Sequence, residues 1–207
     1  MTMLDCIAAE RRRVADLLAG LDDEQWATPS LCDGWTVRDV AAHMTAGWSF
    51  PKLGFARLML RHRGFDGANA EAARILARRP TGEIVDDLRA NAENPFAPPI
   101  VGIVAQLADV ITHGQDIARP LGIAHTVVPE NVRPALDLSV SRSAGLVSPT
   151  KHRAGLRFET TDQTWTHGDG PAVRGDSVSV LLALLGRGAA VDTLAGPGVD
   201  ELRRRFA

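Results

Sequence analysis

Apolar residues recur at three- to four-residue intervals through the first part of the chain, a spacing typical of helices that bury one face. The helices predicted from this spacing span residues 4–21, 36–48, 69–79, 81–94 and 100–119. Short connections join them, and Pro120 ends the last one. Several long helices with short connections predict an up-and-down four-helix bundle.

Local signals mark where some of these helices begin. Thr36-Val-Arg-Asp39 is a capping box, in which Thr36 accepts a hydrogen bond from a free backbone amide and Asp39 reaches back. Thr81 is expected to be the N-cap of the helix that it opens. Residues 21–26 are predicted to form a turn between the first two helices.

After Gly122 the pattern changes to shorter segments, several of them alternating. Residues 129–147 are predicted to form a helix that packs on the bundle or links it to the C-terminal third of the chain. The remaining segments predict strands at 156–161, 163–167, 171–174 and 192–194 and helices at 178–185 and 199–206. We therefore expect a mainly α protein, with the bundle over residues 1–124 and a small α+β domain over residues 150–207.

The bulk composition narrows the expected partners. The net charge of −2 gives no reason to expect nucleic acid as a partner. No apolar run in the sequence approaches the roughly 20 residues needed to span a bilayer. The charges near the N-terminus come after a short apolar stretch, which is the reverse of a secretory signal. We expect a cytoplasmic protein without a membrane partner, either a monomer or a homodimer.

One face of the predicted helix 100–119 is polar but lacks the long charged side chains of a solvated surface. At about 100° per residue, four short polar residues lie along one stripe: Gln106, Asp109, His113 and Asp116. Apolar residues cluster on the opposite side. A solvated face usually carries Lys, Arg and Glu, so short Asp, His and Gln side chains favour an enclosed polar site.

Asp109 and His113 are four residues apart, so both side chains reach one point beside the helix. A pair at this spacing supplies two metal ligands when another helix provides a third. His43 is the best-placed third ligand, because its helix is capped and its neighbours are apolar. The three residues form a two-histidine, one-carboxylate set that leaves coordination positions open.

Reactive side chains elsewhere fit such a site less well. Cys6 and Cys32 lack the number and spacing of a disulfide framework or a cysteine metal site, and both are expected to pack as small apolar residues. The other histidines lie in loops, in an Arg-rich segment or at a hairpin end and are expected to be exposed: His62, His125, His152 and His167.

Two blocks of the sequence carry a likeness to a known family. They are Pro-Ser-Leu-Cys-Asp-Gly-Trp-Thr-Val-Arg-Asp-Val-Ala-Ala-His at 29–43 and Asp-Val-Ile-Thr-His-Gly-Gln-Asp-Ile-Ala-Arg-Pro-Leu-Gly at 109–122. Both resemble the mycothiol-dependent maleylpyruvate isomerase family, and the tail from Phe158 to Arg187 is more loosely similar to its C-terminal domain. The family belongs to the DinB-like superfamily of metal-binding four-helix bundles, so the resemblance implies that fold. An arginine-rich, lysine-poor composition agrees with an actinobacterial source.

The resemblance also implies an activity. It makes His43, Asp109 and His113 the ligands of a divalent metal, zinc before other metals, with mycothiol as the co-substrate. The family usually has Glu where this chain has Asp109, whose side chain is one methylene shorter. The implied reaction is isomerisation or S-transfer on a small electrophile, with a metal-bound thiol as the nucleophile.

Three further residues are candidates near this site. Arg119 binds substrate or thiol, or it caps the end of its helix. Arg187 matches an arginine implicated in the family's C-terminal domain, with a surface role as the alternative. Asp116 orients a ligand histidine or pairs with Arg119.

Two other functions stay open at this point. A metal-dependent hydrolase would activate water in place of a thiol, with Asp116 as the evident base. A non-catalytic protein would bind metal or a small ligand as a sensor or stress protein. The fold does not determine the physiological substrate.

Overall fold

A computed structural model describes residues 2–97, 102–141 and 150–206. Most of these residues are helical, and a small sheet lies towards the C-terminus, so the predicted mainly α class is confirmed. Within these ranges, no helix has both the length and the apolar character required to cross a membrane.

The chain divides into two compact units. The first is made of Met1–Pro98 and His113–His125, and the second of Pro99–Thr112 and Thr126–Ala207. Helix α7 (Gly102–Ala118) therefore contributes residues to both units. The predicted domain limits stay predictions.

The described residues of the first unit form a series of helices ahead of α7. They are α1 (Met3–Ala19), α2 (Asp23–Ala27), α3 (Val37–Ser49), α4 (Lys52–His62), α5 (Phe65–Leu76) and α6 (Thr81–Ala90). Helix α3 packs against α5 and α6, and α1 packs against α6. Large aliphatic side chains such as Ile7, Leu18, Ile84 and Leu88 are fully buried. The apolar spacing of the sequence thus places its residues in a shared core.

Two local predictions in this unit were wrong. The segment 21–26, predicted as a turn, contains the start of α2, because Asp22 accepts a hydrogen bond from the third backbone amide of a short helix. Thr81 is the first residue of α6 and not its N-cap; Pro80 takes the N-cap position in an extended conformation. The predicted start of the long helix at residue 100 lies outside the described residues.

The capping box at the start of α3 is confirmed. The Thr36 hydroxyl accepts from the Asp39 amide at 3.3 Å, and the Asp39 carboxylate accepts from the Thr36 amide at 2.9 Å. Both bonds satisfy amides that have no partner within the helix. They fix the first turn of the helix that carries His43 in its second turn.

The second unit contains a three-stranded sheet and the helices around it. Its elements are α8 (Pro129–Val140), β1 (Arg157–Thr160), β2 (Thr166–His167), β3 (Ala172–Gly175), α9 (Ser177–Leu184) and α10 (Val199–Arg204). The strand order is β2–β1–β3, with β1 antiparallel to β2 and parallel to β3. Phe158 in β1 is fully buried and lies opposite both His167 and Val173. Helix α8 packs against α9.

The predicted strand 192–194 is wrong. A 3-10 helix, Gly188–Thr193, occupies most of it, and the Thr193 hydroxyl donates to the Ala190 carbonyl at 2.7 Å within that turn. The pairing with β3 comes one residue later, as an isolated bridge between Ala195 and Arg174. The predicted end of the helix 129–147 lies outside the described residues.

Candidate metal centre

Two histidines from different helices meet at the candidate site. His43 projects from α3, and His113 projects from α7. Their ring centroids are 4.9 Å apart and the rings are nearly perpendicular, at 86°. His43 is half-buried and His113 is only 9% exposed. The two imidazoles are therefore close enough to share one ligand in a largely enclosed position.

Asp109 lies one helical turn before His113 on α7. One ligand atom from each of His43, Asp109 and His113 lies within 4.8 Å of the others. The three residues selected by sequence spacing are thus brought together. The short carboxylate side chain of Asp109 reaches the two imidazoles.

Asp116 and Cys32 both contact Nδ1 of the His113 ring. His113 Nδ1 is 2.8 Å from Asp116 Oδ2, and the Cys32 thiol donates to the same oxygen at 3.1 Å. With Asp116 ionised, its carboxylate only accepts hydrogen bonds, and in that state Nδ1 carries the proton and Nε2 keeps a lone pair for a ligand. Asp116 is fully buried. Cys32, His113 and Asp116 also form a second group with the spacing of metal ligands.

The loop between α2 and α3 brings Cys32 to this position. The Ser30 hydroxyl donates to the Trp35 carbonyl at 2.9 Å and accepts from the Cys32 amide at 3.1 Å. The Leu31 amide donates to the Asp116 carbonyl at 3.1 Å, which attaches the loop to α7. The Trp35 ring meets the His43 ring edge to face at 5.3 Å. The loop therefore contacts both histidines of the site, directly or through Asp116.

The expectation for Cys32 needs correction. It was expected to pack as a small apolar residue, but it is half-buried and its sulfur contacts a carboxylate and an imidazole. Cys6, by contrast, is buried within α1 as expected. The contacts of Cys32 join residues more than 80 positions apart, so no local sequence signal reveals them.

The polar stripe of α7 is partly enclosed: His113 and Asp116 are buried, whereas Gln106 and Asp109 are half-buried. Thr112 and Gln115 on the same helix are also buried. The buried half of the stripe agrees with the argument from composition, since short polar side chains are enclosed there without long charged ones.

The two candidate arginines lie in different parts of the chain. Arg119 comes directly after α7 and is half-buried, and its Nε donates to Gln115 Oε1 at 3.0 Å. Arg187 lies in the second unit, at the N-cap of a 3-10 helix, and donates to the Leu185 carbonyl at 2.9 Å. The roles predicted for both stay predictions.

Of the other histidines, His62 is exposed as expected and the rest are not. His125 is half-buried, and burial together with the positive charge of Arg13 lowers its pKa. His152 is buried and stacks on Phe206 with ring centroids 4.3 Å apart; burial lowers its pKa too. His167 is half-buried beside a tryptophan ring.

The helices and the donor group define the class of protein: a mainly α chain with a candidate site for one divalent metal between two of its helices. Residues 7–94 match the mycothiol maleylpyruvate isomerase N-terminal domain. The match covers less than half of the chain and includes His43, and it confirms the resemblance seen in the first of the two sequence blocks.

Two solved structures are similar to the chain. The crystal structure of the mycothiol-dependent maleylpyruvate isomerase has a TM-score of 0.64 over 94% of this chain and 91% of that chain, at 14% sequence identity. A histidine-to-alanine mutant of that isomerase has a TM-score of 0.62 over the same shares and at the same identity. No curated protein matches the sequence. At this level of identity the likeness concerns the fold.

Proposed function

We propose that this protein is a metal- and mycothiol-dependent isomerase or S-transferase that acts on a small electrophilic substrate. The observation that carries the proposal is the convergence of His43, Asp109 and His113 within 4.8 Å. The N-terminal domain match and the fold of the similar isomerase structures favour thiol chemistry over other uses of such a site.

The three residues fit a divalent metal on their donor chemistry. Two imidazole nitrogens and one carboxylate oxygen are ligands that zinc accepts, and three protein ligands leave a position for a small molecule. The hydrogen bond from His113 Nδ1 to Asp116 fixes the tautomer that such binding requires. Zinc is the metal that we propose. A divalent metal bound there would lower the pKa of a coordinated thiol, so that the thiolate forms near neutral pH.

The residues around the site hold its geometry. Asp116 fixes the orientation of the His113 ring, and Trp35 restricts the His43 ring from the other side. Burial of His113 and Asp116 shields the hydrogen bond between them from bulk water, whereas His43 and Asp109 are half-buried and keep a path for a small molecule. Such rigidity places a nucleophile and its target in one orientation, which lowers the entropic part of the barrier.

The thiolate would attack an electrophilic carbon of the substrate. In an isomerase, the sulfur adds to a double bond, rotation about the resulting single bond occurs, and elimination releases the thiol. In a transferase the carbanion formed by the addition takes up a proton from solvent, and the neutral adduct leaves as the product. The carboxylates of such a substrate, or the polar body of the thiol, need cations, for which Arg119 and Arg187 are the proposed partners.

The hydrolase alternative has less support. Asp116, the base that it would need, is fully buried and already accepts hydrogen bonds from His113 and Cys32. These contacts suit a residue that orients a ligand better than one that takes a proton from water.

Metal analysis of the purified protein tests the site. We expect about one zinc per chain in the wild type and strong loss in His43→Ala and His113→Ala. His62→Ala is the matched control, since His62 is exposed on α4. Undiminished metal in both site variants would contradict the ligand assignment.

Turnover of a maleylpyruvate-like substrate tests the reaction. We expect activity with mycothiol and none with buffer alone, with glutathione as a second thiol for comparison. Hydrolysis that needs no thiol would favour the hydrolase. Metal binding without turnover of any electrophile would favour a binding protein.

A further inference from the structure

Cys32 is a reactive side chain at the site that the proposed chemistry does not use. Its sulfur is 3.1 Å from Asp116 Oδ2 and 3.8 Å from His113 Nδ1. All three residues belong to the first unit, so the cluster is internal to it. The arrangement has two physical interpretations: a hydrogen bond to Asp116, or a thiolate ligand in a second donor set.

We infer that Cys32 is a positioning residue, which holds the Asp116 carboxylate in the orientation that fixes His113 as a metal ligand. The inference rests on the proposed metal site. Its geometry is a chain of hydrogen bonds, with Cys32 Sγ and His113 Nδ1 both donating to one carboxylate oxygen. Two donors on one oxygen restrict rotation of the carboxylate more than one donor does.

The surrounding loop shares this role. Ser30 bonds to the amide of Cys32 and to the Trp35 carbonyl, which holds the loop in a tight turn. The Leu31 amide bonds to the backbone carbonyl of Asp116, so the main chain and the side chain of Asp116 are held from the same loop. If Cys32 only packed as an apolar side chain, the loop would not need hydrogen bonds to both the main chain and the side chain of Asp116.

The hydrogen-bond interpretation fits the distances better than ligation. The separation of 2.8 Å between His113 Nδ1 and Asp116 Oδ2 is that of an ordinary charge-assisted hydrogen bond. The same bond leaves Nε2 of His113 for the group with His43 and Asp109. A metal on Nδ1 would displace the proton that this bond requires.

Zinc affinity of Cys32 variants tests the inference, measured by competition with a chromogenic chelator in thiol-free buffer. Loss of an outer partner of a metal ligand typically weakens metal binding by about 10- to 100-fold. We expect Asp116→Asn to fall in that range and Cys32→Ala, one step further out, to weaken binding by about 10-fold. Cys32→Ser keeps a donor for the carboxylate and is expected to bind zinc within about threefold of the wild type.

Two controls separate positioning from a general loss of structure. Cys6→Ala removes the other thiol and is expected to leave zinc affinity unchanged. In an Asp116→Ala background, Cys32→Ala is expected to have no further effect, since residues that act through one another give non-additive changes. Thermal unfolding of the metal-free variants checks that each is folded.

Three results would overturn the inference. Cys32→Ala that binds zinc as tightly as the wild type would remove the role of Cys32 and leave the metal site intact. A cobalt-substituted wild type with strong thiolate charge-transfer absorption that disappears in Cys32→Ser would make Cys32 a ligand. A wild type that binds no zinc would overturn the inference and the proposed function together.

Discussion

Gly114 comes directly after the ligand His113 on α7 and lets neighbouring side chains approach the helix closely. A Cβ atom at this position would lie 2.7 Å from His125 Nε2 and 3.1 Å from a methyl carbon of Val14. Real Cβ atoms essentially never approach other atoms to 2.7 Å, so an alanine here would force its neighbours to move. Glycine in a helix interior lowers stability, and the close packing of His125 and Val14 against Gly114 offsets that loss.

Substitution of Gly114 by alanine tests this contact. Helix propensity alone would favour alanine by about 1 kcal/mol, but overpacking typically costs about 1–3 kcal/mol. We expect Gly114→Ala to lower the free energy of unfolding, measured in urea, and His125→Ala in the same chain to restore part of it. Gly82→Ala is the matched control, because nothing lies within 4 Å of its Cβ position. Equal stability of the Gly114 and Gly82 variants would contradict the steric argument.

Helices α3 and α6 are held together by polar contacts as well as by their apolar faces. Asp87 on α6 accepts from Trp48 Nε1 at 2.9 Å, from the Ser49 hydroxyl and from Arg79 at 2.8 Å. Trp48 and Ser49 end α3, while Arg79 lies between α5 and α6. One carboxylate therefore links the helix that carries His43 to its neighbours. Burial alone would raise the pKa of Asp87, but these donors outweigh burial and lower it.

Removal of this carboxylate should loosen the contact between the helices. Asp87→Ala leaves partly buried donors without their acceptor, at a cost of about 1–3 kcal/mol. We expect a smaller loss for Asp87→Asn, which keeps an acceptor oxygen, and almost none for Asp86→Ala, since Asp86 is exposed.

The folded-state pKa of Asp87 lies below its ordinary value of 3.8, so its stabilisation is present above that pH and is lost as the pH falls further. Urea unfolding at pH 7 and below pH 3.8 measures both effects; a loss in Asp87→Ala that is the same at both pH values would contradict the linkage.

Features of a single helix that depend on residues close together in the sequence were predictable. The capping box of Thr36 and Asp39 involves residues three positions apart, and the spacing of Asp109 and His113 is that of one helical turn. The place of Cys32 was not predictable, because its partner Asp116 is 84 positions away and depends on how a loop meets α7. The convergence of His43 on the other two came from apolar patterning together with the family resemblance. Helix α2 was missed although its cap at Asp22 is local.

Across the whole chain, buried ionisable groups shift in opposite directions. Burial and Arg13 lower the pKa of His125, and burial lowers the pKa of His152. Burial also raises the pKa of Glu10, against the opposing charge of Arg13. Because their pKa values are lowered, the two histidines destabilise the folded state as the pH falls from neutral. Because its pKa is raised, Glu10 has the opposite effect and stabilises the folded state as the pH falls. The pH dependence of stability is therefore a balance between groups and not a property of the near-zero net charge.

The contribution of His125 to this balance can be isolated. Its folded-state pKa lies below the ordinary value of 6.5, so the unfolded chain binds a proton first as the pH falls. The free energy of unfolding should therefore decrease as the pH falls through 6.5, by a fraction of the about 1.4 kcal/mol per pH unit that one full proton gives. We expect His125→Asn to flatten this decrease in urea unfolding between about pH 7.5 and 5.5, with a chelator present so that metal binding does not contribute. His62→Asn, at an exposed position, should keep the wild-type slope. A slope unchanged by His125→Asn would assign the acid sensitivity to other groups, with His152 as the next to substitute.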